Sequence, residues 1–162
     1  MQIKEGNIRI LGLDPGSRAT GYGVVDKVGS RLTFVACGVV RVSPKRTFID
    51  RLKEIHDGVS EVIIQHRPEV AAVEDVFFSI NPRSALKLGQ ARGVIILAAL
   101  NSGLAVHEYS PRSVKQAVAG YGNAGKDQVQ HMVKVLLALS AAPSQDAADA
   151  LAVALCAANH LR

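Results

Sequence analysis

The chain has 162 residues, 19 Lys/Arg against 14 Asp/Glu for a net charge of +5, 48% hydrophobic residues and no Trp. Such a length and composition predict one globular domain with a Val, Leu, Ile and Ala core, and the apolar stretches are too interrupted to span a bilayer. Cys37 and Cys156 lie in apolar segments without metal-ligand spacing, which excludes a disulfide scaffold and points to a reducing compartment. With no N-terminal signal pattern, the expected location is the cytoplasm.

Residues 8–14 read as a buried strand closed by Asp14, Pro15 and Gly16, a turn signal. Thr20–Val28 and Leu32–Val42 form a β-meander about Gly29, Ser30 and Arg31. Phe48–His66 has helical apolar spacing and stops at Arg67-Pro68. Val70–Glu74 is a short buried strand, and Pro82–Asn101 a helix. The second half of that helix, Val94–Leu100, is apolar nearly all round, so it is either central or covered by a partner. Leu104–Tyr109 is a further strand. Ser110 and Pro111 open a helix to about Ala119, a Gly-rich loop follows, and helices from about Lys126 to Leu139 and from Ser144 onward complete the chain. This order predicts a mixed α/β fold whose second strand is antiparallel and whose later strands run parallel to the first.

Four carboxylates occupy positions where burial is costly without a cation. Asp14 and Glu74 end apolar strands, and Asp146 and Asp149 open an apolar helix three residues apart, on one face. Each has an ordinary reading: turn chemistry for Asp14, and complementing a helix dipole for Asp146 and Asp149. Glu74 has the weakest structural excuse, although Asp75 beside it complicates the choice. Strand alternation sends Asp75 to the opposite face and selects Glu74. At the carboxyl ends of neighbouring parallel strands the acids converge where α/β sheets place their sites. An oxygen-only donor set favours Mg²⁺, with Mn²⁺ as a substitute, over zinc.

Charge is unevenly spread. Between residues 80 and 135 stand Arg83, Lys87, Arg92, Arg112, Lys115, Lys126 and Lys134 against Glu108 and Asp127, an excess of seven minus two, or +5, while the remainder balances at twelve and twelve. A basic half facing metal-binding acids suits a polyanion, although a solvated basic surface is the plainer reading. Gly120–Lys126 fits the start of a phosphate-binding P-loop, but Asp127 stands where Ser or Thr is needed and the loop follows a helix, so nucleotide binding there is rejected. Phe77 and Phe78 follow Glu74 in a loop, where one ring could stack on an unpaired base and the other pack inward.

Six blocks in order resemble the RuvC family of Holliday junction resolvases: Ile10–Val24, Val73–Phe77, Ser84–Gly93, Val114–Gln116, Lys126–Met132 and Asp146–Ala152. The resemblance implies an RNase H-like fold with a mixed five-stranded sheet, a homodimer, and Mg²⁺-dependent paired nicking of four-way junctions. It places the catalytic and metal-binding roles on Asp14, Glu74, Asp146 and Asp149, and a stacking role on Phe77. Lys115 and Lys126 match the family's DNA-contacting lysines, and Arg83, Lys87 and Arg112 are added as candidate DNA contacts from the basic segment. The family also works with RuvA and RuvB. Expected chemistry is hydrolysis by two Mg²⁺ ions, one activating water and one stabilising the departing 3′ oxygen, which leaves 5′-phosphate and 3′-hydroxyl ends. Another RNase H-like nuclease acting on RNA, and a catalytically silent junction-binding module, remain alternatives at this point.

Overall fold

The computed structural model describes residues 6–75 and 81–162. Five strands, β1 (Asn7–Asp14), β2 (Ala19–Val28), β3 (Arg31–Arg41), β4 (Val70–Glu74) and β5 (Ala105–Tyr109), form one sheet in the order β3-β2-β1-β4-β5. β1 pairs antiparallel with β2 and parallel with β4, which is in turn parallel to β5. The tight β1–β2 and β2–β3 connections permit only antiparallel neighbours, whereas helical crossovers return β4 and β5 in the direction of β1. The mixed sheet with an antiparallel second strand is thus as expected.

Helices α1 (Phe48–His66) and α2 (Pro82–Asn101) cover one face. Leu11, Leu13, Val24, Ala71 and Val73 point to them and meet Ile55, Val59 and Ile95. Helices α3 (Pro111–Ala119), α4 (Lys126–Leu136) and α5 (Gln145–His160) cover the other, where Ile10, Val25, Val70 and Ala72 meet Val114, Val133, Leu151 and Leu155. The alternation of β1 and β4 between these two cores is the period-2 pattern of a sheet buried on both faces. Cys156 is fully buried and free, while Cys37, expected to be buried, is only half-buried on the outer strand β3. Among the described residues no helix is long and apolar enough to cross a membrane.

The strand bounds shift by one residue at β1, β2, β3 and β5, and α4 differs by more. α4 ends at Leu136 rather than Leu139, because Ala138 adopts a left-handed conformation at φ 50°. Leu139 N–H then donates to Lys134 O at 2.9 Å and Ala138 N–H to Val135 O at 3.1 Å, closing the helix in a Schellman arrangement without glycine.

α5 lies unusually close to the sheet. A Cβ on Gly12 would sit 2.1 Å from Ala150 O, and one on Gly21 would sit 2.1 Å from Asp146 O. These two glycines leave β1 and β2 flat beneath the helix, so the backbone of its first turns rests almost directly on the strand ends. Gly21 is also the register partner of Asp14. Gly21→Ala is therefore expected to lower the urea midpoint, costing about 1–3 kcal/mol through overpacking, and to lift Asp146 from its seat.

Candidate active site

Asp14 is an even-numbered residue of β1, so it follows Ile10 and Gly12 onto the α5 face of the sheet. Glu74 follows Val70 and Ala72 onto the same face at the end of β4. Ser144 caps α5, its hydroxyl accepting from Ala147 N–H at 3.4 Å, and the helix begins over these two strand ends. Asp146 in its first turn and Asp149 one turn further are both half-buried. Thr20, fully buried, donates its hydroxyl to Gly16 O at 3.4 Å and steadies the turn after Asp14. The four acids from three elements are thus brought into one neighbourhood.

Their electrostatics show the cost of that gathering. The Asp14 carboxyl is pushed up to about 7, first by burial and then by Asp149, Glu74 and Asp146, with Lys126 opposing. Glu74 is raised by burial and by Asp149, against Lys115 and Lys126. Asp149 is raised by burial, with Lys126 as the main opposing charge and Asp146 a smaller raising one. Lys126 Nζ lies 3.6 Å from Asp149 Oδ2. A cavity of about 230 Å³ opens beside the acids, lined by Glu74, Lys115, Lys126 and Asp149 with Val114 and Val129 at its apolar base.

Among the described residues no three His, Cys, Asp or Glu side chains converge as ligands of one ion. The four carboxylates couple through space without meeting at a point, and Lys126 is the cation that stands among them. Their donor chemistry nevertheless fits a hard divalent cation: carboxylate oxygens, partly desolvated and mutually repelling.

Asp75 separates cleanly from this group. Its side chain turns to the α2 face, where Arg92 Nη2 lies 3.7 Å from Asp75 Oδ1 and 3.2 Å from Glu108 Oε1. Arg92 Nε also donates to the Glu74 carbonyl at 3.4 Å. Asp75 N–H donates to Tyr109 O at 2.8 Å, fixing the chain just past Glu74. Arg92 is one of seven basic residues between positions 80 and 135, and its signal is a guanidinium at the edge of the apolar second half of α2.

The candidate DNA contacts divide. Lys115 and Lys126 face the carboxylates across the cavity. Arg83 and Lys87 lie exposed on the first turns of α2, with Lys87 Nζ 5.5 Å from the centre of the Phe48 ring. Arg112, exposed on α3, packs its stem so closely on the 120–125 loop that a Cβ on Gly122 would lie 2.5 Å from its Cγ. That loop runs from α3 to α4, helix to helix, which agrees with rejecting a P-loop there. Phe77 and Phe78 lie outside the described residues.

For an acid whose folded pKa is raised above its unfolded value, the folded state holds the extra proton, so stability falls as pH rises between the two values. For Asp14 that window runs from 3.8 to about 7. In metal-free buffer at pH 8, Asp14→Asn is expected to be more stable than the parent by roughly 2–4 kcal/mol, and the gap should close below pH 4. Denaturant titrations at the two pH values check this, and a gap that persists in acid contradicts it.

Comparison with known proteins places this arrangement. The family model of crossover junction endodeoxyribonuclease RuvC matches residues 10–157. The crossover junction endodeoxyribonuclease RuvC of Tolumonas auensis is 57% identical over 147 residues, covering 91% of this chain and 84% of that protein. The T. thermophilus RuvC in complex with Holliday junction substrate superposes with a TM-score of 0.86 at 40% identity, over 92% of each chain. The yeast mitochondrial Holliday junction resolvase Ydc2 shares the fold at a TM-score of 0.68 and 11% identity, covering 93% of this chain and 78% of that one. The sheet and its flanking helices are RNase H-like, and the chain belongs to the RuvC family of crossover junction endodeoxyribonucleases.

Proposed function

We propose that this protein resolves four-way DNA junctions by paired phosphodiester hydrolysis during recombination and repair. The observation that carries the reading is the gathering of Asp14, Glu74, Asp146 and Asp149 beside Lys115 and Lys126 in a chain of this family. These four acids would hold the divalent metal, Mg²⁺ with Mn²⁺ as substitute, as two ions per site. The bound metal would supply water activation and stabilisation of the departing 3′ oxygen, consistent with 5′-phosphate and 3′-hydroxyl ends. Lys126 screens Asp149 in the unliganded chain and, with Lys115, offers cationic partners to phosphate entering the cavity. Arg92 keeps Asp75 paired on the other face of β4, so Glu74 alone of that pair reaches the site. Arg83, Lys87 and Arg112 extend the DNA-binding surface, and Phe77 is the stacking residue beside the cut.

A homodimer supplies the second cut. Leu86, Leu97 and Leu100 are 69%, 51% and 52% exposed on one stripe of α2, opposite the buried Ala91, Ile95 and Ala98. A two-fold pairing of that stripe yields two equivalent sites, as symmetric nicking of a junction requires. All 162 residues act as one domain, in the cytoplasm, on junctions processed with RuvA and RuvB.

On a synthetic four-way junction with Mg²⁺, Asp14→Asn is expected to bind like the parent while its nicking falls by about 100-fold or more; cutting at the parent rate would remove the mechanism. Lys126→Ala should weaken binding and reduce the slope of log K against log salt by about 0.9. Asp75→Asn should keep cutting, whereas Glu74→Gln should not. Equal losses from those two variants would show that Asp75 belongs to the site.

A further inference from the structure

A second basic surface lies at the same end of the sheet, on the side away from Lys115 and Lys126. β1 ends at Asp14, β2 begins at Ala19 and β3 ends at Arg41, so antiparallel pairing brings the 15–18 turn and the 42–47 connection together. Val42 N–H donates to Arg18 O at 3.4 Å and ties them. Between them a cavity of about 270 Å³ is lined by Arg18, Val42, Pro44 and Arg51. Arg51 Nη2 donates to Pro44 O at 2.9 Å, which holds the guanidinium in place. Its Nε is buried and has no hydrogen-bond partner. A buried guanidinium N–H left unpaired costs stability unless an acceptor meets it.

Among the described residues two nearby cations are neutralised, whereas Arg18 and Arg51, like Arg41 and Lys45 around them, are not. Arg46 Nε pairs with Glu54 at 2.8 Å and Lys53 Nζ with Asp57 at 2.6 Å. Among the described residues neither Arg18 nor Arg51 forms an ion pair. α1 begins at Phe48 beside the cavity, so the positive end of its dipole adds to the field. Asp50 in the first turn of α1 offsets part of that field, and two arginines without an ion pair still leave the cavity cationic, built from both turns that border β2.

Resting on the junction-resolving function above, we propose that Arg18 and Arg51 clamp a backbone phosphate of the bound DNA. Arg18 lies four residues past Asp14, and a chain of four residues spans at most about 14 Å. With a rise of about 3.4 Å per nucleotide, a strand whose scissile phosphate lies over the carboxylates reaches this pocket within about four steps. The site is then gripped on both sides: Lys115 and Lys126 on the α3–α4 side, Arg18 and Arg51 at the β2–β3 side.

Junction binding by gel shift or anisotropy over a salt series tests the clamp, with nicking followed in parallel. Arg18→Ala, which removes an exposed side chain, should raise Kd about 3–10-fold near 0.1 M salt and reduce the salt slope by about 0.9. Arg51→Lys keeps the charge but loses the planar fork and should also weaken binding, with its thermal melt confirming a folded chain. Lys53→Ala changes net charge equally outside the pocket and should bind like the parent. Parent-like affinity and slope in both arginine variants overturn the clamp, as does an equal loss in Lys53→Ala. If the parent cuts junctions and Lys126→Ala weakens binding while Arg18→Ala does not, the clamp alone fails. If the parent neither binds nor cuts a junction, the functional reading fails and the clamp with it.

Discussion

Gathering four carboxylates into a partly desolvated corner is unfavourable, and the rest of this molecule is arranged around supplying that free energy. Asp14 feels it most, because it sits beneath α5 and receives repulsion from all three of the others. The opposing term is the packing of α5, whose residues from Ala147 to Ala158 are almost all buried apart from Asp149. Burying a helix on nearly every side between sheet, α3 and α4 stabilises by far more than one raised carboxyl costs. α5 is thus both the acid donor and the largest single source of core, so the repulsion cannot be relaxed by swinging the helix away.

That coupling gives the site its pre-set character. The strand ends and the helix start are fixed by backbone approach at Gly12 and Gly21, not by side chains that could rearrange. A carboxyl pushed up to about 7 first by burial and then by neighbouring acids is a site that favours incoming positive charge. Lys126 meets part of that need from the first residue of α4, outside the strand ends and α5 that carry the acids. Strong fixed repulsion beside a half-exposed ammonium is a physical basis for exchange of that side chain for an incoming ion.

Much of this was legible in the sequence, for identifiable reasons. Strand alternation correctly separated Glu74 from Asp75, because β4 is buried on both faces and a residue has only two directions to choose between. The bounds of α1, β4 and α2 followed from Pro68, a buried apolar run and Pro82. α4 was overrun because its stop uses Ala138, and nothing in an alanine announces a left-handed residue. Gly12, Gly21 and Gly23 carry no signal in a strand pattern, yet they permit the close approach of α5, visible only when the helix is in place. The pocket at Arg18 and Arg51 was hidden by arithmetic. Counting charges outside residues 80–135 gives a neutral sum, while in space Glu54 and Asp57 serve Arg46 and Lys53, and Arg18 and Arg51 are among the cations left without an ion pair.

α2 joins the two halves of the functional proposal. Its inner side carries Arg92, which grips Asp75, Glu108 and the Glu74 carbonyl at the end of β4. Its outer side carries the exposed leucine stripe proposed to pair two copies. Gly89 and Gly93 have open space around them, so a partner helix could approach the backbone closely there. Under the proposed pairing, a shift of α2 would reach Arg92 and through it the strand end that carries Glu74. Because β4 pairs with β1 from Ile10 to Leu13, the strand that carries Asp14 would feel the same shift. α2 is therefore the element through which the proposed assembly would act on the acids.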